Sequence, residues 1–109
     1  MNLLEKTIKA INHVNLQDLK VCDLEKNNPF YQYVIIGTGS KRQADALIGY
    51  VKEELKDVFE IRGIEGKSSG WLLIDCGEVV IHVFDEENRI FYKFDEKFLG
   101  IKDITETLL

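Results

Sequence analysis

Apolar side chains recur at three- and four-residue spacing from the start of the chain, at Leu4, Ile8, Ile11 and Val14. This spacing predicts an amphipathic first helix. The period then shortens. "LKVCDL" (19–24) is a short β-rich run, and "EKNNPF" (25–30) is a loop, because paired Asn and the only Pro favour turns. "YVIIG" (33–37) is apolar throughout, as a strand buried on both faces should be. Ser40 is a natural N-cap, and Leu47, Ile48, Val51 and Leu55 form one stripe of the helix it opens. "VFEIRGI" (58–64) reads as a weakly alternating strand and "EGKSSG" (65–70) as a loop.

Two further strands follow at 71–75 and 79–84, joined through "DCGE", where Gly77 takes a positive φ at no steric cost. Asp85 or Glu86 opens a short helix across Asn88 to Tyr92. The tail "EKFLGIKDITETLL" packs a last turn or frays. The order α-β-β-α-β-β-β-α predicts an α/β fold, a mixed sheet of about five strands with helices packed on it. No repeat, linker or low-complexity tract divides the chain, so residues 1–109 read as one domain, with its core over about 3–99 and a tail at 100–109.

Strand alternation separates two faces of the hairpin. Leu72, Ile74, Val79, Ile81 and Val83 make one purely aliphatic face, which reads as core. Trp71, Leu73 and Asp75, with Val80, His82 and Phe84, make an amphipathic one. Either a helix covers that second face, with the polar groups at its rim, or it is an interface with Trp71 as anchor.

Composition narrows the function classes. A hydrophobic fraction of 45% marks a folded protein, and 109 residues suffice for one modest core. The net charge of −5 argues against non-specific affinity for DNA, RNA or anionic lipid, and suits a partner with a positive surface. Cys22 and Cys76 lie in apolar runs without C-x-x-C spacing, as buried free thiols of a reducing compartment do. No signal peptide or membrane-spanning run is expected, so the chain reads as cytoplasmic.

Candidate chemistry is sparse. "GTGS" (37–40), between strand and helix, could hold a phosphate on backbone N–H groups. It has neither Walker A spacing nor the three glycines of a dinucleotide fingerprint. A Gly-Ser pair here also resembles nucleotidyltransferases, but their paired strand carboxylates are missing: Asp45 falls within the helix and Glu60 stands alone among apolar residues. A tight turn with an N-cap is the structural alternative. His82 has no C/H/D/E cluster around it, and His13 lies far away in sequence, so no metal or other cofactor is expected. Cys76, the nearest nucleophile to His82, lies at the turn with nothing nearby to lower its pKa.

"GWLLIDCGEVVIHVFDEENRIFY" (70–92) resembles the signature of the ribosomal silencing factor family, also called RsfS or Iojap, with Trp71, Asp75, Gly77, His82, Arg89 and Tyr92 matching. Asp23 matches the family's strand-end aspartate, and "YVIIGTGSKRQADAL" its strand, its turn ending in Ser40, and its second helix. "EG" at 65–66 also falls where the family has it. The resemblance spans about residues 3 to 99. It implies an α/β fold related to nucleotidyltransferases without their catalytic carboxylates, and a non-enzymatic role. Family members bind the large ribosomal subunit through ribosomal protein uL14 and block small-subunit joining when nutrients are short. Organellar relatives are associated with ribosome assembly. A transferring enzyme built on the "GTGS" turn is the alternative from another class.

The family's contact surface draws on the hairpin and the helix after it. Carried onto this chain, Trp71 with Leu73 would be the apolar anchor, Asp75 and Glu78 would meet basic groups, and Tyr92 would extend the aromatic patch. His82 would be a buried hydrogen-bonding support, with Asp23, Gly77 and Ser40 structural. Arg89 would tie the short helix to an acidic group of its own domain, such as Asp75 or Asp23. A sheet face this apolar could also pair two copies when no partner is present. The chain departs from the pattern at Phe98, where many members have tryptophan, and at Gln43, where some have histidine.

Overall fold

The structure, a computed structural model, describes residues 1–25 and 28–108. Helix α1 (Leu3–Asn12) opens with a capping box: Asn2 accepts from the Glu5 N–H and the Glu5 carboxylate accepts from the Asn2 N–H. Strands β1 (Gln17–Asp23) and β2 (Tyr33–Thr38) form an antiparallel pair. Residues 26 and 27 of the loop expected between them lie outside the described residues. Helix α2 (Lys41–Leu55) follows, then β3 (Gly63–Glu65), β4 (Trp71–Asp75), β5 (Val79–Phe84) and α3 (Glu86–Tyr92). A 3₁₀ helix (Phe94–Phe98), β6 (Lys102–Asp103) and α4 (Thr105–Leu108) complete the order.

The sheet has six strands in the order β3-β4-β5-β2-β1-β6, mixed because β2 and β5 run parallel and every other pair is antiparallel. That is one strand more than the hydrophobic pattern predicts. β6 has two exposed, charged residues and no alternation to read; pairing with Cys22 and Asp23 creates it. The third strand is also shorter than the expected 58–64. The Val58 and Phe59 N–H groups both donate to the Leu55 carbonyl (3.0 and 2.9 Å), which turns the chain back at the end of α2. Phe59 and Ile61 then pack on the core from irregular backbone. Apolar residues there cover the core's floor without joining the ladder, a use that period alone cannot distinguish from a strand.

The core lies on both faces of the sheet. Leu47, Val51 and Leu55 of α2 and Ile8 and Ile11 of α1 pack on Val21, Ile35, Leu72, Ile74, Val79, Ile81 and Val83. Each such side chain contributes about 1.5–3 kcal/mol when fully buried. The other face, predicted to be amphipathic, buries Leu24, Val34, Ile36 and Phe84 under Phe94 of the 3₁₀ helix. In register across β4, β5 and β2, this face reads Trp71–Phe84–Thr38, then Leu73–His82–Ile36, then Asp75–Val80–Val34. Short segments after β5, not a long helix, therefore cover the polar-bearing face. Among the described residues no helix is long and apolar enough to cross a membrane.

Candidate functional site

Trp71 enters the sheet opposite Phe84, which fixes its ring at the open end of the β4–β5 hairpin. There it stacks on Phe84 (4.8 Å between centroids) and meets Tyr92 (4.8 Å) and Phe94 (5.6 Å). The indole N–H donates to His82 Nδ1 (3.1 Å), so His82 presents an unprotonated nitrogen to it. His82 is buried, 7% exposed. Burial, and then the charge of Lys97, lowers its pKa to about 4. The imidazole is consequently neutral near pH 7 and engaged within the aromatic cluster.

Cys76 packs among the helix-side core residues, while His82 lies in the opposite face's register. The sheet separates this thiol from the imidazole. Burial, with the Asp75 charge second, pushes Cys76 up to about 12, and burial raises Cys22 as well. Burial thus disfavours the thiolate at both positions. Among the described residues no group of three or more His, Cys, Asp or Glu is placed to hold a metal ion.

Arg89 ties α3 to an acidic group of its own domain, but to neither of the two named from sequence. It does not reach Asp75 or Asp23. Its Nε and Nη2 grip Asp95 (3.2 and 2.9 Å), and Nη1 donates to Thr38 Oγ1 (2.9 Å) and to the Asp18 carbonyl. Asp75 lies on β4 and Asp23 at the far end of β1, beside the start of β2, whereas Arg89 sits beside β2's last residue. Hydrogen bonds from Arg89 hold the Asp95 carboxyl below the usual carboxylate range. Nothing at the sequence level links Arg89 to Asp95, because Lys93 in the left-handed conformation ends α3 and redirects the chain between them.

The residues singled out from sequence divide between two ends of the sheet. Trp71, His82, Arg89 and Tyr92 gather at one end. Asp75 and Glu78 lie at the hairpin's turn, four residues along β4 from Trp71 and so about 13 Å away. Leu73, half-buried, lies between them. At the turn the Asp75 carboxylate accepts from the Gly77 N–H (2.9 Å), and Gly77 has φ 92°. The Glu78 carbonyl accepts from Gln32 and Tyr33 (both 2.9 Å). Asp23 accepts from the Glu25 N–H (2.8 Å). Burial, then the charges of Asp23 and Glu78, push the Tyr33 phenol up, as expected with both carboxylates beside it.

Ile90 and Phe91 are not among the candidates read from sequence. They are 70% and 72% exposed, beside Tyr92 at 49%, and no residue of α3 is buried. The signal was present in "RIFY": three successive large apolar residues on a seven-residue helix cannot all face the protein.

The "GTGS" turn is occupied by its own structure. Ser40 N–H donates to Gln43 Oε1 (2.8 Å) and Gln43 N–H to Ser40 Oγ (3.1 Å), a capping box. Gly39 N–H donates to the Phe84 carbonyl (2.9 Å). The glycines make room for Leu16: a Cβ on Gly37 or Gly39 would come within 2.8 or 2.7 Å of that side chain. The cavity beside the turn holds about 10 Å³, space for one water at most. These donors are not free for a phosphate.

Comparison with known proteins points in one direction. The family described as "Ribosomal silencing factor during starvation" matches residues 1–106. The chain is 36% identical over 98 residues to the ribosomal silencing factor of Chromobacterium violaceum, covering 87% of this chain and 80% of that protein. It is 27% identical over 100 residues to a Mus musculus protein named for mitochondrial assembly of the ribosomal large subunit, covering 43% of it. A crystal structure from Chromobacterium violaceum superposes with a TM-score of 0.80 at 32% identity, over 94% of this chain and 90% of that one.

Proposed function

The chain belongs to the ribosomal silencing factor family, and on that premise we propose that it docks on the large ribosomal subunit through ribosomal protein uL14. Seated there, it would sterically prevent small-subunit joining under nutrient limitation, in the cytoplasm. The family's names point to a regulatory, ribosome-associated factor and not to an enzyme. A blocking factor needs affinity and position, not turnover.

The observation that carries this reading is the solvent-facing row Ile90, Phe91 and Tyr92 next to half-buried Trp71. Exposed aromatic and aliphatic side chains contiguous on one element are what a protein interface uses as its anchors. Trp71, Leu73 and Tyr92 would extend the apolar contact, and Asp75 and Glu78 would meet basic groups of uL14 at the other end. With no partner present, the same face would be available to a second copy. The transferase alternative finds no support at the "GTGS" turn, whose donors bond within the fold. The assembly reading uses the same docking step, and the name of the mouse relative keeps it in view.

Co-sedimentation with purified large subunits tests the proposal. Wild-type protein is expected to travel with the particles, and uL14 alone to capture it in a pull-down. An Ile90→Glu/Phe91→Glu variant is expected to bind at least about 30-fold more weakly, the loss typical of an interface hot spot. Its melting temperature should match wild type, because both side chains are already in solvent. Wild-type protein that stays at the top of the gradient would sink the reading.

A further inference from the structure

α3 is an amphipathic helix turned inside out. Its one basic residue, Arg89, points into the protein with its side chain 14% exposed, while Ile90 and Phe91 point to water. Apolar burial would favour the opposite rotation, with Ile90 and Phe91 against the sheet. Nor is α3 held by its own stability, since isolated helices below roughly 12–15 residues are marginal in water. Something must fix its rotational phase: Tyr92 against the Trp71 ring (4.8 Å) supplies one aromatic contact, and the others are polar. The Asp85 N–H donates to the Gly70 carbonyl (2.9 Å), and the Asp85 carboxylate caps the Asn88 N–H (2.8 Å). One turn further on, Arg89 reaches three separate segments: Asp95 in the 3₁₀ helix, Thr38 at the end of β2, and the Asp18 carbonyl at the irregularity in β1.

We propose that Arg89 is a positioning residue for docking: its two-pronged grip on Asp95, with the bonds to Thr38 and Asp18, locks α3 in the rotation that presents Ile90 and Phe91 to the partner. The inference rests on the reading of α3 as the docking element. With Arg89 directed inward, the next two side chains lie about 100° and 200° around the helix, so both are driven outward. A partly buried ion pair is a poor device for stability, since well-packed apolar residues often stabilise as much or more. It is a good device for excluding a competing arrangement, here the one in which the apolar row collapses onto the sheet. The docking surface is thereby pre-organised, and binding is spared the cost of ordering it.

The test compares Arg89→Met, Arg89→Lys and Asp95→Asn with wild type by amide hydrogen exchange of α3, thermal unfolding, and association with purified large subunits. Arg89→Met is expected to keep its melting temperature within a few degrees, to exchange α3 amides at least about tenfold faster, and to bind at least about tenfold more weakly, chiefly through a slower on-rate. Arg89→Lys, which keeps the charge but not the fork, should fall between the two. In a Phe91→Ala background the Arg89→Met loss should shrink to about threefold or less, because the clamp acts through the row it presents. A purely structural arginine would not show that coupling. Unchanged exchange in α3 would overturn the inference whatever binding does, as would faster exchange with unchanged binding. Should Arg89→Met fail to fold, Asp95→Asn, which leaves the Thr38 and Asp18 bonds in place, decides by the same criteria. If wild type itself does not bind the subunit, the docking reading fails, and α3 exchange judges the clamp on its own.

Discussion

His82 shows how burial sets the behaviour of a single side chain. Its nitrogen accepts the Trp71 indole N–H, and burial, followed by the Lys97 charge, brings its pKa down to about 4 from the ordinary 6.5. The folded state therefore resists a proton that the unfolded chain accepts. The resulting stability is fully present above pH 6.5 and is lost as pH falls from 6.5 towards 4, by up to about 3 kcal/mol. Wild-type urea midpoints should drop across that window before most carboxylates titrate. His82→Gln, which still offers an acceptor to the indole and cannot charge, should match wild type at pH 7 and lose much less by pH 4.5. Equal pH profiles for the two proteins would mean that the imidazole is not held neutral. From sequence alone His82 could be read as a support but not as a neutral one, because its pKa depends first on burial, with Phe94 against it (4.4 Å between centroids), and then on Lys97, a residue fifteen positions away that covers Phe94 (5.3 Å to the ring centroid).

Among the elements, the β2–α2 turn shows why a glycine motif is ambiguous. A Gly-rich strand-to-helix turn can serve an anion or a close neighbour, and here the neighbour is Leu16. Gly37→Ala is expected to destabilise by about 1–3 kcal/mol through overpacking, and Leu16→Ala in the same chain should recover part of that loss, which thermal unfolding would register. No recovery would indicate that the glycine's role is not to accommodate Leu16. Elements that carry their own signal were legible: the stripes of α1 and α2, the Ser40 cap, and β4 and β5 to the residue. Those made by pairing were not. β3 is reduced to three residues because the end of α2 unwinds into a turn, and β6 exists only as a ladder partner of Cys22 and Asp23. The candidate site followed the same division. Trp71 and His82 could be grouped by strand alternation and Tyr92 joined to them by the family resemblance, whereas the place of Asp95 beside Arg89 depends on a backbone reversal at Lys93.

For the whole molecule, the two faces of one sheet are closed unequally. Two full helices seal one side, and short segments from 85 to 98 close the other, so the weakly covered side is also the one that carries the proposed docking row. The net charge of −5 adds a long-range contribution. If the partner surface is basic, association should slow as ionic strength rises from about 0.05 to 0.5 M, while dissociation of the apolar contact changes less. A rate of association insensitive to salt would remove electrostatic steering from the account. One further consequence follows from Trp71, the only tryptophan in the chain. Its ring touches Tyr92 on one side and its N–H bonds the buried imidazole on another. Its native emission should thus respond to events on both sides of the cluster, to the proton on His82 and to whatever covers or shifts α3. The protein carries an optical gauge of its own docking surface, and needs no label to be watched.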